Sequence, residues 1–205
     1  MTAPRPVGRF KALITSVNGD GSFGVALLAC LAILLALQLG GARTLDALRY
    51  DRSALAAGEL WRLASAHVVH LDLRHALLNA LGLLLMWALF IRDYRPRQWF
   101  LIVLATTAAI DAGLWFRDTQ VIWYVGASGV LHGLMAAGIA AELRRGESSG
   151  VILAVFLIAK LGYEQVLGAL PFAGTAVPVV VNAHLYGALG GLAASLWMRP
   201  VAVRL

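Results

Sequence analysis

Ser128 stands in the run Gly126-Ala127-Ser128-Gly129, at the head of an apolar segment long enough to cross a bilayer. A second such segment opens on Asn182-Ala183-His184 and continues through Gly187, Gly190 and Gly191. A serine hydroxyl is a weak nucleophile until a neighbouring base takes its proton, and an imidazole is suited to that task. Ser128 as nucleophile with His184 as base is therefore the chemistry these residue types suggest. Gly126, Gly129 and Gly187 would let a second helix or a substrate backbone come close. The free N–H groups and positive dipole end of a helix starting at Ser128 would favour an oxyanion there. His75 and Asn79 are spaced i, i+4 and share a helix face, and both carry donors that suit an oxyanion hole. His132, one turn beyond Ser128, is expected in a supporting role with its ring beside His184. Taken singly, each of these residues also fits a packing role; their joint occurrence carries the argument. No acid lies near His184 in sequence, so a dyad without a carboxylate is the simplest reading, with Asp111 or Glu164 able to serve only through space. The Gly-x-Ser-x-Gly elbow of soluble hydrolases is not met, because Val130 holds the fifth place and no strand is expected before it.

These side chains need elements to carry them, and composition says in which solvent. The chain has 205 residues, 60% hydrophobic and 14% charged. A soluble domain would carry about a quarter charged residues. Recurrent apolar stretches near twenty residues predict a polytopic membrane protein. The net charge of +6 does not point to nucleic acid, because the basic residues lie in short clusters between apolar runs. The one cysteine, Cys30, allows no internal disulfide.

Six spans are expected: Gly24 to Leu39, Arg74 to Ile91, Trp99 to Phe116, Val125 to Leu143, a fifth from Gly150 interrupted by Lys160 and Glu164, and Val179 to Met198. They form one membrane domain over 23–200, with an outer-face loop at 41–73 and a Gly/Pro-punctuated linker at 168–178. A cleaved signal peptide is the competing reading of the first run, which is long for one and far from the N-terminus. Basic residues in 1–22, 92–97, 144–145 and at Arg199 and Arg204 alternate correctly for one face, so the tail 1–22 and the end 201–205 are expected in the cytoplasm. Arg43, Arg49, Arg52 and Arg62 in the first loop, with Arg74 at its boundary, weigh against this orientation. With it, the second, fourth and sixth spans descend from the outer face and bring His75, Asn79, Ser128, His132 and His184 to one depth, within about 10 Å of the helix ends. Asp111, Lys160 and Glu164 fall in the same half. The cytoplasmic half is expected to bury almost no polar group, so the cluster implies one hydrated cavity open to the outside.

Over residues 58–200 the chain resembles the rhomboid intramembrane serine proteases. Glu59-Leu60-Trp61-Arg62 looks like the family's first-loop Trp-Arg motif. His70 and His75-Ala76-Leu77-Leu78-Asn79 look like its His-rich second helix. Gly126-Ala127-Ser128-Gly129 matches the nucleophile motif, and Ala183-His184 with Gly187 and Gly191 matches the histidine helix. The resemblance implies an all-α membrane protein, a six-transmembrane-helix rhomboid-like bundle. It also implies Ser128 as nucleophile, His184 as base, and His75, Asn79 and the Ser128 amide as oxyanion donors. Rhomboids often carry tyrosine where His132 stands. The run from Gly126 to Gly133, with Lys160 and Tyr163-Glu164-Gln165, looks like the rhombosortase branch. That branch implies a bacterial inner membrane, an active site facing the periplasm, and substrates ending in a Gly-Gly-type motif, a transmembrane helix and a basic end. Lys160 and Glu164, at i, i+4 on the family's proposed gating helix, are read as a substrate gate or as a neutralising ion pair. No cofactor, metal or nucleic acid is expected. The rival readings are a catalytically inactive rhomboid-like binding or chaperone protein and a His-ligated membrane metalloprotein.

Overall fold

The computed structural model describes residues 22–170 and 179–201. It is an all-α bundle, as apolar runs in lipid require, since a helix satisfies its own backbone hydrogen bonds. Helix α1 (Ser22–Ala36) passes through a 3-10 turn (Leu37–Gly40) into α2 (Gly41–Leu48). The first apolar run thus extends nine residues past the expected end at Leu39, and residues 41–48 are helix rather than loop. A compact loop module follows: β1 (Tyr50–Asp51), α3 (Arg52–Ala56) and α4 (Arg62–Ser65). The remaining helices are α5 (Leu73–Phe90), α6 (Pro96–Phe116), α7 (Ser128–Arg145), α8 (Ser148–Leu167) and α9 (Val181–Leu196). The strand β2 (Trp123–Tyr124) pairs antiparallel with β1, Tyr50 facing Tyr124. The expected tail 1–22 and end 201–205 lie outside the described residues except for Ser22 and Val201, as does the linker from 171 to 178.

Among the described residues, four stretches are long and apolar enough to cross a membrane: Phe23–Leu48, Leu73–Phe90, Pro96–Phe116 and Ser148–Leu167. The chain is a multi-pass membrane protein. The two helices that bear Ser128 and His184 are different. α7 ends on Glu142, Arg144 and Arg145, α9 has only 16 residues, and both sit inside the bundle. Lys160 and Glu164 interrupt the apolar run of the fifth span but not its helix, which is continuous from Ser148 to Leu167. The two side chains pair at i, i+4, Lys160 Nζ to Glu164 Oε2 at 2.7 Å, so neither charge forces a break in the helix.

Small residues decide the packing. α7 and α9 approach through Gly129 and Gly133 on one helix and Gly187 and Gly191 on the other. A Cβ at Gly187 would lie 2.0 Å from the Gly129 carbonyl oxygen. Close van der Waals packing of small residues is the usual source of helix association in lipid, where tails are as apolar as leucine. Around this seam, Met86, Phe90, Met135, Ile139 and Leu157 join α5, α7 and α8, while Tyr50, Leu55, Ile110, Leu114 and Tyr124 seat the loop module on α6. Arg52 fastens that module: its guanidinium donates to the carbonyls of Leu114, Trp115 and Asp118 at the end of α6 and lies over the Trp115 ring. Arg62, buried, donates to Glu59 at 2.7 Å and to the carbonyls of Asp46 and Arg49.

The end of the bundle away from Ser128 is not apolar, contrary to expectation. Asp93, Glu142 and Ser195 are buried there. Arg145 donates to Asp93 at 2.8 Å, and Arg144 donates to the carbonyls of Ser195 and Met198. A helix end leaves carbonyls without intrahelical partners, and Arg144 satisfies two of them there.

Candidate active site

Ser128 is the first residue of α7, and the turn before it fixes where the hydroxyl goes. Gly126 has φ +115°, a backbone that side-chain-bearing residues rarely adopt, and a Cβ there would meet the His75 ring at 2.8 Å. Three bonds hold this turn. The Gly126 N–H donates to the Ala66 carbonyl at 2.9 Å, the Tyr124 hydroxyl donates to the Gly126 carbonyl at 2.8 Å, and the Ala127 N–H reaches His70 Nε2 at 3.4 Å. No strand was expected ahead of Ser128, but β2 ends four residues before it and anchors the turn to the loop module. Pattern reading misses a strand of two residues because no alternation can show over that length.

His184 lies in the first turn of α9, buried, with Nε2 2.9 Å from Ser128 Oγ. The His132 ring stacks on it at 4.3 Å between centroids and 17° between planes. His132 Nδ1 is 2.6 Å from the carbonyl oxygen of Ser128. His75 and Ser128 both line a cleft of about 260 Å³, whose other walls include Leu71, Trp123, Val125 and Val180. The Leu71 N–H points at His75 Nδ1 at 3.5 Å, which leaves the proton on His75 Nε2. The α5 start that carries His75 is capped by Asp72, which accepts from the His75 N–H at 2.7 Å. Asn79 is buried one turn further in, its Nδ2 donating to the His75 carbonyl at 3.0 Å.

Of the two acids able to serve through space, Glu164 is the one beside His184. Glu164 places its two oxygens 2.9 and 3.1 Å from His184 Nδ1. Asp111, the other acid considered, sits 3.2 Å from His67 Nε2 instead. Lys160 Nζ lies 2.5 Å from His132 Nε2 and 3.1 Å from His184 Nδ1. Lys160 and Glu164 thus face the imidazoles, not the lipid side of α8. One sequence signal could have found this: Gly150, Leu157 and Glu164 recur every seven residues, two helical turns, and are the buried stripe of α8. Donor atoms of His132, Glu164 and His184 lie within 4.8 Å of one another, a set that can hold a metal ion. Lys160 Nζ contacts all three, so a divalent cation would meet an ammonium already seated among its ligands.

His70 was quoted only as part of a motif, and its structural task is specific. Burial pushes it down to about 3, with neighbouring His75 acting in the same direction and Asp72 against it. The ring is therefore neutral near pH 7 and its Nε2 can accept from Ala127. Its folded value lies below the ordinary 6.5, so the stabilisation is complete above pH 6.5 and is lost as the pH falls toward 3. We expect the thermal midpoint of the detergent-solubilised protein to fall on acidification from pH 6.5 to 4. In His70→Gln, whose amide oxygen can replace the acceptor, that dependence should flatten. An unchanged pH profile in the variant would refute the assignment.

No curated protein matches the chain. Residues 57–201 match the Rhomboid domain, a stretch that runs from the end of α3 through α9 and includes every side chain in this cluster. Rhomboid proteins are in general intramembrane serine proteases acting on membrane-protein substrates within the bilayer, with inactive homologues among them; the chain belongs to this family.

Proposed function

We propose that the protein is an active intramembrane serine endopeptidase. The observation that carries this reading is the 2.9 Å contact between Ser128 Oγ and His184 Nε2 at the wall of the cleft that His75 also lines. Ser128 Oγ attacks the scissile carbonyl while His184 Nε2 takes its proton. The oxyanion is met by His75 Nε2–H and by the amide of Ser128 at the start of α7. Asn79 supports His75 from below through the His75 carbonyl and has a second amide hydrogen to offer. His184 then protonates the leaving amine, and water hydrolyses the acyl ester on Ser128. Gly126, Gly129 and Gly187 are the close-approach points that make this geometry reachable.

The substrate is read as a membrane protein with a C-terminal Gly-Gly-type sorting tail, cut near the outer end of its transmembrane segment. Support comes from the rhombosortase-like run around Ser128 and from Lys160 and Glu164 at the base of the same site. The basic clusters at 92–97 and 144–145 support an inner-membrane protein whose site faces the periplasm. A second reading, a metalloprotein, is carried by the His132, Glu164 and His184 donor set alone.

The test uses the full chain in lipid vesicles, a fluorophosphonate probe and a fluorescent tail substrate. Wild type is expected to be labelled on Ser128 and to cleave the tail, with cleavage insensitive to chelators. Absent labelling would support the inactive relative; chelator-sensitive cleavage would support the metalloprotein. Equal cleavage of a tail lacking the Gly-Gly motif would remove the substrate assignment and leave the protease.

A further inference from the structure

We propose that Glu164 is a positioning residue for the reaction, a carboxylate on α8 that holds His184 in the tautomer able to serve Ser128. This rests on the protease reading above. The hydrogen-bond inventory around the imidazoles closes in one way. His132 Nδ1 faces the Ser128 carbonyl, which can only accept, so Nδ1 carries the proton. His132 Nε2 is then an acceptor, and it faces Lys160 Nζ, which can only donate. Lys160 gives a second proton to Glu164 Oε2 at 2.7 Å. The two carboxylate oxygens are left against His184 Nδ1, which must donate to them. A proton on Nδ1 frees the Nε2 lone pair for the Ser128 hydroxyl at 2.9 Å.

The neighbouring lysine makes the point sharper. Lys160 Nζ is also 3.1 Å from His184 Nδ1. Were it the partner of that nitrogen, the proton would sit on Nε2, and the ring could not receive one from Ser128. Glu164 decides between the two states, because it offers the acceptor that Nδ1–H needs. During attack the proton moves from Ser128 Oγ to His184 Nε2 and later to the leaving amine. Glu164 keeps its charge throughout and faces the transient imidazolium. Glu164 is 3% exposed and stands on the buried stripe of α8. A carboxylate so placed in an otherwise lipid-facing helix needs partners, and here the partners are Lys160 and His184.

The competing explanation is that Glu164 only neutralises Lys160. Four variants separate the two: Glu164→Gln, Glu164→Asp, Lys160→Met, and the double variant Lys160→Met with Glu164→Gln, which removes both charges and so folds even if Glu164→Gln does not. In vesicles, kcat and KM for the tail substrate and the rate of Ser128 phosphonylation by the probe are measured, with thermal midpoints as the folding check. We expect Glu164→Gln and the double variant to lose about 10²- to 10⁴-fold in kcat and in phosphonylation, with KM within about threefold of wild type. Glu164→Asp should recover at least about tenfold of that loss, and Lys160→Met should cost less than about tenfold. A double variant as fast as wild type, or Glu164→Gln within about threefold of it, overturns the proposal while the protease reading stands. A wild-type protein that neither labels nor cleaves overturns both.

Discussion

Ser128→Ala, His184→Ala and the variant carrying both changes are expected to lose cleavage by the same factor, on the order of 10⁴ to 10⁶. The reason lies in how the two side chains divide one task. Ser128 Oγ supplies the bond-forming lone pair and His184 Nε2, 2.9 Å away, removes the proton that would otherwise make the attack prohibitively acidic. Remove either and the other has nothing left to do, so the losses do not add. The residual rate should reflect substrate held in the cleft beside His75 Nε2–H and the start of α7. Neither change threatens the fold. Ser128→Ala deletes one oxygen at a helix start braced by the Gly126 and Ala127 contacts, and His184→Ala leaves the α7–α9 seam intact. Helical circular dichroism in detergent should match wild type. The kinetic check is kcat for all three variants against one tail substrate. Losses whose logarithms sum in the double variant would mean that the two residues act independently.

How much of this was legible in the sequence follows from what each feature depends on. The helical bundle was readable because lipid leaves a chain few choices and apolar runs near twenty residues announce the result. The ordering of His75, Ser128 and His184 on alternate helices was readable too, since descent from one face puts helix starts at one depth. The loop module was not: Tyr50 to Tyr124 pairing joins residues 74 apart through two-residue strands, with no periodic trace. Which of the two candidate acids would meet His184 was also hidden. Glu164 precedes His184 by 20 residues on a different helix, and the i, i+4 spacing to Lys160 suggested a self-contained ion pair. That pair exists, yet an ion pair leaves carboxylate lone pairs to spare, and the rotation of α8 turns them toward His184. The buried groups at the far end escaped notice for a related reason. Asp93 follows Arg92, Glu142 stands two residues before Arg144, and both read as interfacial charges, while the helix ends fold over them.

Gly187→Ala is expected to separate the two reacting side chains without touching either. The added Cβ would lie 2.0 Å from the Gly129 carbonyl oxygen and 2.8 Å from its carbon. Both obstacles are backbone of α7, one residue after Ser128, so no side chain can swing aside. The helices must part, and overpacking of this kind costs about 1–3 kcal/mol. For a chain of this size each kcal/mol lowers the thermal midpoint by roughly 2–4 °C. The effect on rate should be larger than the effect on stability. His184 is less than one turn before Gly187 and Ser128 directly precedes Gly129, so the displacement falls on the 2.9 Å contact itself. A misplacement of about 1 Å can cost on the order of 10²-fold. Gly191→Ala meets a similar obstacle, the Gly133 carbonyl oxygen at 2.1 Å, one turn further from the dyad. It should destabilise as much and slow cleavage less. Gly162→Ala on α8 is the control, because a Cβ there meets nothing within 4 Å, and alanine is the better helix former. The expected order of kcat is therefore Gly162→Ala near wild type, Gly191→Ala intermediate and Gly187→Ala lowest, with the last two similar in thermal midpoint. Full activity in Gly187→Ala would mean that the α7–α9 seam does not set the distance between nucleophile and base.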